Sequence, residues 1–228
     1  MDNLNNENYN YQKLNIFQKY LKLIKTDFIR DFTGIAILNF PEYFWTLPAS
    51  TSGKHHGNET LIEHVLGCAY IAKNVQEQFK NYDQIWKDKL MSAILLHDGW
   101  RCGFLGHEKR FTQKMIEKKG YSKKLLGQLC TSKDHPYVAA SQLMKILKKS
   151  YLIDYKMFFE DIIEAVKYHM GPWTPKKEKY YEIEMIINFS HGSFDSDDLI
   201  LLVHTIDAHQ TWNSQYNKKK KSYIKTMV

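Results

Sequence analysis

"MSAILLHDGWRCG", residues 91–103, carries a run of apolar helix formers straight into His97-Asp98 and stops it at Gly99. Residues that drive a helix towards the interior also deliver whatever follows them, so His97 and Asp98 are sent where charge is costly. An unpaired carboxylate there costs several kcal/mol and ordinarily neutralises. Arg101, one of three arginines in 228 residues, follows Asp98 by three positions. What the rest of the chain offers Asp98 therefore decides how the chain is folded.

Working outward, the chain reads as helical. Residues 11–25 place Leu14, Phe17, Leu21 and Ile24 on one stripe. Residues 28–53 are less regular and finish in the loop "TLPASTSGK". Residues 60–79 carry Leu61, Val65, Cys68, Ala72, Val75 and Phe79 on one face, with Thr60 as a cap and Glu63 three positions later. Further helices are expected over 86–97, 108–131 (broken at Gly120), from Pro136 to 149, over 158–170 and over 196–212, where Ser196 or Asp197 is the cap. No alternating strand, Gly-rich phosphate loop or internal repeat interrupts the pattern. The expected fold class is all-α, a helical bundle.

Composition narrows the setting. A hydrophobic fraction of 43% and an aromatic fraction of 14% suit a packed globule of one domain. No apolar stretch reaches the roughly 20 residues that cross a bilayer, and "MDNLNNENYN" has no signal-peptide pattern. Cys68, Cys102 and Cys130 are odd in number and lack CxxC spacing, which argues against a disulfide framework and a thiolate zinc site. The expected location is the cytoplasm of a bacterium, or of the host if a phage encodes the chain. The net charge of +7 includes the run Lys218–Lys221, so it permits a nucleotide or nucleic-acid partner without identifying one. The expected division is a polar segment and helix over 1–27, a main domain over 28–212 and a basic tail over 213–228.

Within the helices, polar residues recur in order: His64, His97-Asp98, His135, His169, Asp207, roughly 33–38 residues apart. A helix with its connection has about that length, so the same end of successive parallel helices is expected to supply each group. His64 lies on the apolar stripe between Leu61 and Cys68; His169 follows Ile162 and Val166; Asp207 follows Ile200 and Val203. Singly, each histidine is more often a hydrogen-bonded core or surface residue than a ligand. Together, four imidazoles and two carboxylates are a donor set for one or two divalent ions such as Mn²⁺, Fe²⁺, Co²⁺, Ni²⁺ or Zn²⁺.

The pattern H…HD…H…H…D, centred on "LLHDGWR", resembles the HD-domain metal-dependent phosphohydrolases. "PASTSGKHHGNETLIEHVL" is similar to the part of HD-domain 3′-to-5′ exoribonucleases in which an HH pair precedes a "GGLLEH"-type helix start. Together the two matches span about residues 40–210. The resemblance implies an HD-domain helical bundle in which His64, His97, Asp98 and Asp207 hold one metal. It implies a second metal on His135 and His169, bridged by Asp98, with manganese or iron preferred. Where members with the HDxGK form carry a lysine, this chain has Arg101.

The implied activity is hydrolysis of a nucleotide-type phosphodiester by metal-bound hydroxide, with Asp98 and Arg101 catalytic. An oligonucleotide 3′ end and a cyclic or linear dinucleotide are the expected substrates. His56, beside His55, together with Arg101 and Trp173 are the expected substrate contacts; Arg110 is a weaker candidate, and Trp100 and Tyr137 are aromatic candidates for base stacking. His107, His191, His204 and His209 are expected to be structural. The alternatives are a nucleoside mono- or triphosphate phosphohydrolase, a non-catalytic nucleotide-sensing module and a di-iron oxygenase on the same frame. No OB barrel of the kind that accompanies the exoribonuclease is expected before residue 28, which keeps small nucleotides open.

Overall fold

The computed structural model describes residues 2–46, 49, 59–78, 83–101, 135–170 and 198–211, with side chains from residue 11 onward. Helices α1 (Asp2–Leu21), α2 (Asp27–Leu38), α3 (Leu61–Gln78), α4 (Gln84–Leu96), α5 (His135–Lys149) and α6 (Lys156–Tyr168) are followed by α7 over 198–211. Short 3-10 turns cover Glu42–Trp45 and Tyr151–Tyr155. The fold is all-α, with no strand among the described residues. No helix among them is long and apolar enough to cross a membrane.

The helical part of the quoted stretch, the second half of α4, forms the axis of the bundle. Helix α4 packs against α2, α3 and α6, and Leu90 through Asp98 are all buried. A helix covered on several sides needs apolar residues all round rather than on one stripe, which is what "LMSAILL" supplies. Ser92 is the polar exception; its hydroxyl lies 2.7 Å from that of Thr33 on α2, which itself donates to the Ile29 carbonyl at 2.7 Å.

Helix α2 falls within the stretch whose sequence reads as irregular. Its buried residues Ile29, Phe32, Thr33, Ala36 and Ile37 keep helical spacing, but Thr33, Gly34 and three isoleucines weaken the propensity signal. Its start is secured from outside: Asp88 of α4 accepts the backbone N–H of Lys25 at 3.0 Å and of Thr26 at 2.7 Å. That tie also explains why α1 stops at Leu21 instead of running to residue 25. At α3 the expected cap is present, with Glu63 N–H donating to Thr60 Oγ1 at 3.2 Å and Thr60 N–H to Glu63 Oε2 at 2.8 Å.

A glycine stands at position 99, just past the central helix, for a packing reason. A β-carbon there would lie 2.2 Å from Cε1 of Phe40, whose ring meets Trp100 edge-on with centroids 5.1 Å apart. Trp100 is thereby sealed in the core at 2% exposure, so it is not available for base stacking. Tyr137 is half-buried. The expected helix over 108–131, the cap at Ser196 or Asp197 and the tail over 213–228 lie outside the described residues.

Candidate metal centre

The six side chains singled out in the sequence meet at one place. They do not come from the same end of parallel helices. His64 stands in the first turn of α3, His97 caps the C-terminus of α4, His135 opens α5, His169 caps the C-terminus of α6 and Asp207 lies in the last turns of α7. The first four positions alternate between helix starts and helix ends, and Asp207, like His169, comes from near the end of its helix.

They form two clusters. In the first, His64 Nε2 is 3.0 Å from Asp207 Oδ1 and 3.4 Å from His97 Nε2. In the second, His135 Nε2 is 3.0 Å from His169 Nε2. Asp98 stands between them. Its Oδ1 lies 2.9 Å from His135 Nε2 and 3.6 Å from His169 Nε2, while Oδ2 lies 3.7 Å from His64 Nε2 and 3.9 Å from His97 Nε2. One carboxylate oxygen thus faces each cluster. Arg101 Nη1 donates to both oxygens at 3.1 and 3.2 Å and lies 3.2 Å from His135 Nε2.

Backbone carbonyls select the ring nitrogens that face inward. His97 Nδ1 lies 2.7 Å from the Ile94 carbonyl and His169 Nδ1 2.7 Å from the Val166 carbonyl. A carbonyl only accepts, so each Nδ1 carries the proton and each neutral ring presents a bare Nε2, the form in which imidazole binds a metal. Both residues sit at helix C-termini, where carbonyls three positions back have no intrahelical donor. His204, expected to be structural, directs Nδ1 at the His169 carbonyl at 2.8 Å and so joins α7 to the end of α6.

Charge follows the same plan. Burial lowers His97 to about 4 against the pull of Asp98 and Asp207. Burial and then the Arg101 cation lower His135 to about 4. Both are neutral donors at pH 7. Burial opposes the Asp98 charge, but Arg101, His97 and His135 hold its carboxyl well below the usual range. For Asp207, burial is likewise outweighed by His64 and His97, and its pKa is lowered. His64 moves the other way: burial works to lower it, and Cys68, Asp207 and Glu59 outweigh burial and raise it.

The neutral nitrogens of His97 and His135 beside ionised carboxylates fit a divalent cation, and His64 would have to give up its Nε2 proton to join them. Two groups have ligand atoms mutually within 4.8 Å: His64, Cys68, His97 and Asp207, and Asp98, His135 and His169. Cys68 is an addition to the sequence reading, which took it as one more apolar position on α3. Its Sγ is 3.7 Å from His64 Nε2, one helical turn on, and the signal was the i, i+4 spacing. His55, His56, His107, Arg110, Trp173 and His191 lie outside the described residues.

A family model described as HD domain matches residues 61–208. The chain belongs to the HD domain family. The match runs from the start of α3 to the residue after Asp207, and so contains all six converging side chains. HD domains are generally metal-dependent phosphohydrolases, which agrees with the two donor clusters. No curated protein and no solved structure matches the chain.

Proposed function

We propose that this HD domain hydrolyses a nucleotide-type phosphodiester, either an oligonucleotide 3′ end or a cyclic or linear dinucleotide. The observation that carries the reading is Asp98, which turns one oxygen towards each of two nitrogen clusters. His64, His97, Asp98 and Asp207 would hold one divalent ion and Asp98, His135 and His169 a second, and such ions would supply a water of lowered pKa and a positive clamp for phosphoryl oxygens. The chain's own groups do the rest. Asp98 fixes how the two clusters sit relative to one another. His97 and His169 keep Nε2 bare through their carbonyl bonds. Arg101 is charged at every working pH and offers a planar set of donors that matches a non-bridging phosphoryl oxygen. Burial, full for His97, Asp98 and His169 and partial for Arg101, strengthens their pull on developing charge. A cysteine nucleophile is not required: burial pushes the Cys68 thiol up to about 11, so it is protonated at pH 7.

The net charge of +7 is compatible with an anionic substrate of either size. The test is a screen of the purified protein with Mn²⁺ against mononucleotides, cyclic dinucleotides and labelled oligonucleotides. Turnover of a dinucleotide or oligonucleotide, lost in Asp98→Ala, is the expected result. Turnover confined to mononucleotides, or an active Asp98→Ala variant, would contradict the reading.

A further inference from the structure

His97 and His169 are oriented by carbonyls of their own helices, but His64 is not placed for that device. It sits in the first turn of α3, where its backbone N–H bonds the Thr60 carbonyl at 2.9 Å, and its Nδ1 points out of the helix. What faces Nδ1 is a carboxylate: Glu59 Oε2, at 3.7 Å, on a side chain only 12% exposed. The other oxygen of Glu59 is held in turn, accepting from Gln210 Nε2 at 2.7 Å. Gln210 belongs to α7, three residues after Asp207. Helix α7 therefore reaches His64 from both sides, through Asp207 at Nε2 and through Gln210 and Glu59 at Nδ1.

Two further features build this arrangement. A β-carbon on Gly67 would lie 2.3 Å from Gln210 Nε2 and 2.4 Å from its Cδ, so the bare Cα of Gly67 leaves the space that the amide crosses. Glu59 is fixed through its backbone, whose carbonyl accepts from Ala49 N–H at 2.8 Å, and by the Thr60–Glu63 cap immediately after it.

We propose that Glu59 is the positioning residue for His64, aimed by Gln210 across Gly67, and that its carboxylate, facing Nδ1 at ion-pair distance, favours the proton on Nδ1 so that Nε2 faces the metal cluster. This rests on the metal reading of His64 and adds to it residues that touch neither metal nor substrate. Carboxylates behind metal-binding imidazoles orient the ring and raise its basicity, and removing one typically weakens metal binding about 10–100-fold.

The test is titration of the full chain with Mn²⁺ by calorimetry, for wild type, Glu59→Ala, Gln210→Ala and the double variant, alongside the melting temperature of each metal-free protein. Glu59→Ala is expected to weaken Mn²⁺ binding about 10–100-fold in one binding step, leaving the other step unchanged. Gln210→Ala is expected to weaken the same step by less, and the double variant to be no weaker than Glu59→Ala, because Gln210 acts through Glu59. Glu59→Gln, which keeps an acceptor oxygen, is expected to recover part of the loss. Wild-type affinity in Glu59→Ala would overturn this inference alone, whereas a wild type that binds no Mn²⁺ would overturn the metal reading and this inference with it. Should Glu59→Ala fail to fold, the inference stands or falls on Gln210→Ala, and unchanged binding there overturns it.

Discussion

At the scale of single residues, the centre divides into groups that hold ions and groups that shape them. Asp98 is shared by both clusters, so Asp98→Ala is expected to abolish hydrolysis and to lower bound Mn²⁺, read by turnover and by metal analysis of the dialysed protein. Arg101 carries charge without being a metal donor. Arg101→Ala is therefore expected to keep its metal while losing roughly 10²–10³ in kcat, the usual cost of one preorganised donor to a developing anion. Retained kcat in Arg101→Ala would remove it from the machinery. His64, His169 and Asp207 were legible in the sequence because each is a polar residue in a slot where an apolar one belongs, as Asp207 is after Ile200 and Val203, whereas His97-Asp98 ended an apolar run and His135 was carried by its order and spacing. Glu59 and Gln210 were not. They lie far apart in the chain, neither interrupts an apolar stripe, and only the approach of α7 to Gly67 brings them together.

At the scale of elements, the central helix imposes two demands that a variant can expose. Asp88 accepts two backbone N–H groups at the start of α2. Asp88→Ala leaves both without that acceptor, and a loss of about 1–3 kcal/mol is expected in urea unfolding. Gly99→Ala forces a methyl group against Phe40 and is expected to cost about 1–3 kcal/mol, with part recovered by pairing it with Phe40→Leu. A Gly99→Ala protein as stable as wild type would show that Phe40 moves aside freely. The helices over 60–79, 86–97 and 158–170 were readable from spacing because each presents a stripe or a plain apolar run. Helix α2 was not, since the feature that secures its start is a carboxylate sixty residues on. The mixture of helix starts and helix ends was also hidden, because even spacing along a chain carries no direction; packing supplied that.

For the whole molecule, pH and metal act on the same buried groups. His97 and His135 titrate near 6.5 when unfolded and about 4 when folded. Between those values the unfolded chain binds more protons, so the metal-free protein is expected to lose stability as pH falls from about 6.5 to about 4. Each histidine contributes a slope of roughly 1.4 kcal/mol per pH unit. His64, whose pKa is raised, works in the opposite direction near pH 6.5 and above, where its unfolded form loses the proton first, and so offsets part of the loss there. Asp98 and Asp207, whose pKa values are lowered, take effect only as unfolded carboxylates protonate near 3.8. Urea midpoints of chelator-treated protein at pH 7 and pH 5 check this, and equal midpoints would contradict it. Ligation by a divalent ion at pH 7 acts in the opposite direction, adding about 2.7 kcal/mol at a free concentration one hundred times Kd.

The account depends on side chains from five helices forming two ion-binding clusters that share Asp98. Anomalous diffraction from crystals of the protein grown with Mn²⁺ tests that most directly. Two manganese peaks are predicted, one against His64, His97 and Asp207 and one against His135 and His169, with Asp98 touching both. Full-occupancy manganese elsewhere, with no peak in contact with Asp98, would contradict it.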